Sequence, residues 1–191
     1  TKNNGVFLMG EIRTPDILDY VDRVPQPLLI VTAGDPEQPS RRGGMLVVLF
    51  TQLSRDPLLV GFISAPNRHT FKLVKEFNAF AVNAVSRRLL QAALNVFGGL
   101  SGSRIDKFDA ARITPKKGRR VTAPIIPESP LILECELYKD IEIGDHVLVI
   151  GKVVDAYSES TETPLVYWNS RIYELKEESW MILWRSGAMK V

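Results

Sequence analysis

The stretch from Gly43 to Thr70 constrains this fold more than any other. It reads Gly-Gly-Met-Leu-Val-Val-Leu-Phe-Thr-Gln-Leu-Ser-Arg-Asp-Pro-Leu-Leu-Val-Gly-Phe-Ile-Ser-Ala-Pro-Asn-Arg-His-Thr. Met45 to Thr51 is nearly all apolar and β-prone, the pattern of a strand buried on both faces. Arg55-Asp56-Pro57 supplies turn chemistry, and Leu58 to Ile63 is a second apolar run, so the pair reads as a hairpin. The loop Ser64 to His69 then delivers the chain to Thr70, a good N-cap for a helix over Phe71 to Phe77. A helix N-terminus presents unpaired N–H groups and the positive end of its dipole, which suits an anion such as phosphate. Asn67, Arg68, His69 and the Thr70 hydroxyl add donors there. The plainer reading of the same residues is a hairpin and a capped helix with no ligand.

Around this stretch the chain is mostly strand. Gly5 to Met9 reads as a short strand, and Thr14-Pro15-Asp16 starts a helix with Ile17, Leu18 and Val21 on one face. Pro25 and Pro27 end it. Leu28 to Ala33 is a strand whose hairpin partner is the strand from Met45. Ala79 to Val85 is another. Ser86 caps a second helix in which Leu89, Leu90, Ala93, Val96 and Phe97 form an apolar face, and Gly98-Gly99 stops it. Residues 100 to 130 read mostly as loop. Strands resume over Leu131 to Tyr138 and His146 to Ala156, joined by a turn at Gly144-Asp145. Leu165 to Trp168 and Arg171 to Leu175 form a last hairpin about Asn169-Ser170, and Ser179 to Trp184 reads as apolar strand or tail. This mainly β balance, with two or three helices, fits a Greek-key antiparallel barrel with helices outside. No domain boundary shows, so one domain over residues 1–191 is expected.

Composition removes several functions. With 24 Lys plus Arg against 22 Asp plus Glu, nothing pushes the chain towards nucleic acid or an anionic membrane. The basic run Lys116-Lys117-Gly118-Arg119-Arg120 lacks interleaved aromatics and reads as a solvated loop, though a contact to nucleic acid or to a dinucleotide phosphate is the functional alternative. No apolar run approaches the ~20 residues of a membrane helix, and no signal peptide shows. The single cysteine, Cys135, excludes an internal disulfide and reads as a buried structural thiol; a cytoplasmic location is expected. Two histidines, His69 and His146, without clustered Cys or carboxylates do not make a metal site, and none is expected. Nucleophile-elbow, Walker-A and Gly-x-Gly-x-x-Gly patterns are all missing. Trp168, Trp180 and Trp184 read as core or interface anchors.

Several motifs in one order carry a resemblance. Gly-Met-x-x-x-x-Phe-Thr-x-x-Ser-x-Asp-Pro-x-Leu-Val begins at Gly44, and Arg68-x-Thr70 follows. Then come Phe80-Ala81-Val82-Asn83, Phe97-Gly98-Gly99-Leu100-Ser101-Gly102, Asp106-Lys107-Phe108, Glu134-Cys135-Glu136, and Gly144-Asp145-His146 with Ile150-Gly151-Lys152-Val153. Over residues 25 to 175 the chain resembles the flavin reductase-like family, whose fold is the FMN-binding split barrel. The resemblance implies non-covalent FMN and a homodimer. It implies hydride transfer from NAD(P)H to the flavin, then electron delivery to free flavin, a ferric complex or a partner redox protein. The alternative is a non-catalytic FMN-binding electron carrier reduced by a protein partner; a nucleic-acid-binding β-barrel is a third reading, from a different class.

Residue by residue, the resemblance puts Leu46, Val47, Val48, Leu49 and Phe50 along the flavin ring. Leu46, Val47 and Val48 stand where the family has small or hydroxylated residues, so their backbone groups are the ones that reach it. Thr51 and Ser54 are its side-chain candidates for the ring. Asn67, Arg68, His69 and Thr70 take the phosphate. Ser101, Gly102 and Lys107 approach the cofactor from the loop between Gly98 and Phe108, expected from the second subunit. The Lys107 ammonium would offset phosphate or reduced-flavin charge. His146 falls on the open face where nicotinamide docks.

Overall fold

A computed structural model describes Ile17 and residues 20–176. The Gly5–Met9 strand, the Thr14-Pro15-Asp16 helix start and the Ser179–Trp184 segment, with Trp180 and Trp184, lie outside the described residues. Ile17, Tyr20 and Val21 are helical, and their side chains are exposed.

The main sheet has seven antiparallel strands: β2 (Leu29–Gly34), β3 (Arg42–Val47), β4 (Phe50–Arg55), β5 (Leu58–Ser64), β6 (Ala79–Ala84), β9 (Ile132–Ile143) and β10 (His146–Tyr157), in the spatial order β3-β2-β6-β9-β10-β5-β4. Its two edges, β3 and β4, are consecutive in the chain and separated only by Val48 and Leu49. A flat seven-stranded sheet is about 29 Å from edge to edge, whereas the link from Val47 to Phe50 spans at most about 11 Å. The sheet therefore curls to bring its edges together, and in the link the Leu49 carbonyl accepts from the Ile63 N–H of β5 at 3.1 Å, continuing the β4–β5 ladder. This is a split barrel. β2 pairs with β3 from Leu29↔Val47 to Gly34↔Arg42, the hairpin expected from the sequence. Two smaller sheets flank the barrel. One joins β1 (Gln26–Pro27) to the hairpin β11 (Leu165–Trp168) and β12 (Arg171–Glu174); the other pairs β7 (Lys116–Lys117) with β8 (Pro124–Ile125).

Alternation fills the barrel. Val31, Val47, Phe62, Phe80, Val82 and Val149 point inwards, and Phe62 meets Phe80 edge-on with centroids 5.2 Å apart. Helix α1 (His69–Phe77) packs Phe71, Leu73 and Val74 into this core, with Lys72, Lys75 and Glu76 outside. A second core lies beyond β2 and β3, where Ile30, Leu89, Phe97, Phe108 and Ile126 meet. It seats α2 (Leu90–Ala92), which continues as a π-helical turn over Ala93–Gly98, and α3 (Lys107–Ala110). Gly44 makes that seat: a Cβ there would lie 2.7 Å from the Phe97 ring. Cys135 is buried in the barrel core, and burial pushes its thiol up to about 12.

The structure corrects three expectations. The apolar run Met45–Thr51 is two strands broken at Val48–Leu49, and β4 is largely exposed rather than buried on both faces. Barrel closure explains both, because the chain leaves one sheet edge there and enters the other. Helix α1 starts at His69 with Arg68 as its N-cap, and Thr70 is buried in the first turn. Ser86 caps nothing; it bridges to Pro164, and its buried hydroxyl has no partner. Residues 100–130 are mostly loop, as expected, and hold the short α3 and the β7–β8 pair. Among the described residues, no helix is long and apolar enough to cross a membrane, and no group of three His, Cys, Asp or Glu is placed to hold a metal.

Candidate functional site

Two connected pockets lie where the barrel edges meet the start of α1. The first is an anion-friendly recess. Arg68 adopts an extended N-cap conformation without a side-chain cap bond, so no side chain caps the first-turn amides of α1. Asn67, Arg68, His69 and Thr70 line one wall; Leu100, Ser101, Gly102 and Lys107 line the other. Lys107 is only 4% exposed, and its Nζ donates to the Phe97 carbonyl at 2.8 Å. Burial, and then the Arg68 guanidinium, lower its pKa to about 8. No carboxylate among the described residues pairs with either cation. The Nε2 of His69 is buried with no hydrogen-bond partner. Burial lowers the His69 pKa, Lys72 and Lys107 lower it further, and Glu76 opposes them. The neutral tautomer with its hydrogen on Nε2 has a donor to offer an anion. Two uncompensated cations, an orphaned ring nitrogen and a helix N-terminus make the recess fit a phosphate.

The second pocket is a groove that shares Met45 and Arg68 with the first. Leu46, Val47, Val48 and Leu49 form one side; Ile63, Ser64 and Ala65 form the other. Its walls are apolar side chains and backbone, because Val48 and Leu49 belong to neither flanking strand. His146 stands at one end, half-exposed, with Nδ1 2.8 Å from Asp145 Oδ1. That hydrogen bond holds the Asp145 carboxyl below its ordinary pKa. A flat, largely apolar ring system with a phosphate at one end matches the combined shape.

The sequence candidates divide accordingly. Leu46, Val47, Val48, Leu49 and His146 line the groove, and Asn67, Arg68, His69, Thr70, Ser101, Gly102 and Lys107 line the recess. Phe50, Thr51 and Ser54 line neither. Phe50 packs on the barrel core, the Thr51 hydroxyl donates to the neighbouring Gln52 carbonyl at 3.3 Å, and Ser54 sits in a separate surface recess. The break at Val48–Leu49 carries all three away along the outer edge. The loop from Gly98 to Phe108 lines its own chain's recess through Leu100, Ser101, Gly102 and Lys107. Phe97 is anchored over Gly44, and the Lys107–Phe97 bond ties the loop back beside α1. Met45, Ile63, Ser64, Ala65 and Leu100 were not singled out in the sequence. The place of Ser64 and Ala65, directly ahead of the phosphate loop, is the one signal that points to them. Trp168 is exposed, and its ring lies tilted against Tyr173 with centroids 5.6 Å apart.

Lys107 sets a pH dependence. Its native pKa, about 8, lies below the unfolded value of 10.5. Between these values the unfolded chain binds more protons, so its unfavourable burial is relieved and stability rises with pH across that window. An anion in the recess favours the ammonium and opposes this. Phosphate-ligand affinity is therefore expected to fall as pH rises above about 8, and a Lys107→Met variant is expected to lose that pH step. Calorimetric titration between pH 7 and 9.5 measures both.

The Flavin reductase like domain model matches residues 21–176. An uncharacterized protein of Pyrococcus abyssi is 38% identical over 112 residues, which cover 59% of this chain and 63% of that protein. A flavin reductase of Pseudomonas putida is 29% identical over 146 residues, covering 75% of this chain and 79% of the relative. The match spans just over half the length of relatives in Aeropyrum pernix and Archaeoglobus fulgidus, 53% and 57%. Among solved structures, the Streptomyces globisporus C-1027 NADH:FAD oxidoreductase superposes with a TM-score of 0.74 at 22% identity, over 90% of this chain and 99% of that one. That last likeness concerns the fold; the family match spans most of the chain. The chain belongs to the flavin reductase like domain family.

Proposed function

We propose that this chain binds FMN without a covalent link and works as an NAD(P)H-dependent flavin or ferric reductase. The observation that carries this reading is the uncompensated Arg68–Lys107 pair, with the orphaned His69 Nε2, at the N-terminus of α1 and opening into a groove that ends at His146. Arg68, His69 and the first amides of α1 would hold the phosphate. The backbone at Val48 and Leu49, outside both ladders, would meet the ring edge, and Leu46 and Met45 would support its face. Bound there, the flavin supplies the hydride and electron chemistry. The protein orients the ring, excludes water from its inner face and leaves the outer face open. Asp145 engages Nδ1 of His146, so Nε2 is left to meet the carboxamide of a docked nicotinamide.

The active form in this reading is a homodimer of single-domain subunits. The two pockets hold about 170 and 160 Å³, together only at the bottom of the roughly 300–1,000 Å³ range of a ligand cleft. The outer face next to the groove exposes Leu49, Leu53, Ile141 and Ile143. A second copy seated there would bury these and deepen the groove. Anaerobic stopped-flow mixing of FMN-loaded protein with NADH and with NADPH tests the function. Bleaching of the flavin absorbance at a saturable rate is expected with at least one nucleotide. Failure with both, together with reduction by a protein donor, would make the chain an electron carrier instead.

A further inference from the structure

The recess keeps its positive charge although an acid stands next to one of its cations in the chain: Asp106 directly precedes Lys107. Both carboxylate oxygens of that acid are engaged elsewhere. Arg42, at the start of β3, places Nη2 2.6 Å from Asp106 Oδ2 and Nε 3.2–3.3 Å from both carboxylate oxygens. The Phe108 N–H donates to Asp106 Oδ1 at 3.0 Å, capping α3. Arg42 is itself fixed, donating Nη1 to the Pro36 carbonyl at 2.6 Å with its guanidinium 5.4 Å above the Phe108 ring. Both partners are mostly buried, so the pair is shielded from salt. Glu76 pairs with Arg41, Asp35 accepts from the Glu37 N–H and the Gln38 amide, and Asp109, in the same helix as Lys107, is exposed to solvent.

We propose that Arg42 is a positioning residue of the anion recess: it holds the Asp106 carboxylate away from Lys107 and Arg68, and so reserves their charge for a phosphate. The inference rests on the FMN reading above. If Arg42 is lost, Asp106 becomes a buried carboxylate without its cation, and Lys107 is the adjacent cation in the chain to relieve it. A phosphate dianion then meets a half-neutralised recess. The flavin ring, bound by the groove, is not affected. Arg42 thus selects for the phosphate end of the ligand without touching it.

The test uses FMN and riboflavin titrations on wild type, Arg42→Met, Asp106→Asn and the double variant, with thermal melts to verify folding. Arg42→Met is expected to weaken FMN on the order of tenfold while leaving riboflavin affinity unchanged. Asp106→Asn, which keeps an N-cap acceptor, is expected to bind FMN at least as tightly as wild type. The double variant is expected to recover most of the lost FMN affinity, because the intruding carboxylate is gone. A structural brace predicts the reverse, since the double variant lacks both halves of it. A double variant as weak as Arg42→Met, or equal losses for riboflavin and FMN, overturns the proposal. Should Arg42→Met not fold, Asp106→Asn decides alone: retained FMN affinity supports the proposal, and loss overturns it. A wild type that binds both ligands equally would instead remove the FMN reading itself.

Discussion

Replacing Glu134 with glutamine is expected to lower stability by about 2–5 kcal/mol, enough to depress Tm by roughly 5–15 °C in a chain of this size. Glu134 is fully buried and takes four donors. Its Oε1 accepts from the Arg119 N–H and the Tyr157 hydroxyl, each at 2.6 Å; its Oε2 accepts from the N–H groups of Arg120 at 2.6 Å and Val121 at 3.0 Å. Glutamine keeps the shape but turns one oxygen into an NH₂ that faces donors, so two donors lose their acceptor at once. Burial alone would raise the Glu134 pKa; the bonds from Tyr157 and the three backbone amides outweigh it and hold the carboxyl low. Burial, and then the same carboxylate, push the Tyr157 hydroxyl up. The sign for stability follows. A depressed carboxyl stabilises fully above its unfolded value of 4.5 and loses that contribution as pH falls through the native value. The gap between wild type and Glu134→Gln is therefore expected to narrow in acid. Denaturant unfolding at pH 7 and pH 4 measures it, and a gap independent of pH would show that the charge is immaterial.

Arg68→Ala is expected to weaken FMN binding about tenfold to a hundredfold, the loss of one charge-assisted hydrogen bond worth roughly 1.5–3 kcal/mol. Arg68 is exposed at the junction of recess and groove, and no carboxylate among the described residues competes for it. Its removal leaves the apolar groove walls in place, so riboflavin affinity should be nearly constant. Exposure also makes the wild-type preference for FMN salt-sensitive, and that sensitivity should shrink in the variant. Parallel loss of riboflavin and FMN affinity would assign Arg68 to the ring or the fold instead.

Strand positions were legible because apolar runs and turn residues are local. The last hairpin falls where expected, with Asn169 and Ser170 both at positive φ in its turn. What sequence could not show is decided at long range. Val48 and Leu49 are as apolar as their neighbours, and barrel closure interrupts the strand there; past that break Phe50, Thr51 and Ser54 line neither pocket. Thr70 is a better cap by type than Arg68, yet its side chain is buried in the first turn, so the helix begins earlier. The side chains of the Lys116–Arg120 run are exposed as expected, with Lys116 and Arg119 paired to Glu159, although Lys116–Lys117 form β7 rather than loop. Its shape, however, depends on a buried carboxylate fourteen residues away from Arg120. The phosphate-binding candidates were the most legible part, because a helix start and its flanking donors are adjacent in the chain. Lys107 reaches the same recess only through the packing of Phe97 on Gly44.

The most direct measurement is a pair of equilibrium titrations of the wild-type protein, with FMN and with riboflavin, under one buffer and ionic strength. The phosphate is the sole difference between the two ligands that the recess can sense. Contacts from Arg68, His69, Lys107 and the α1 amides predict FMN binding tighter by at least ~tenfold. Equal affinities, or no binding of either, would contradict the account.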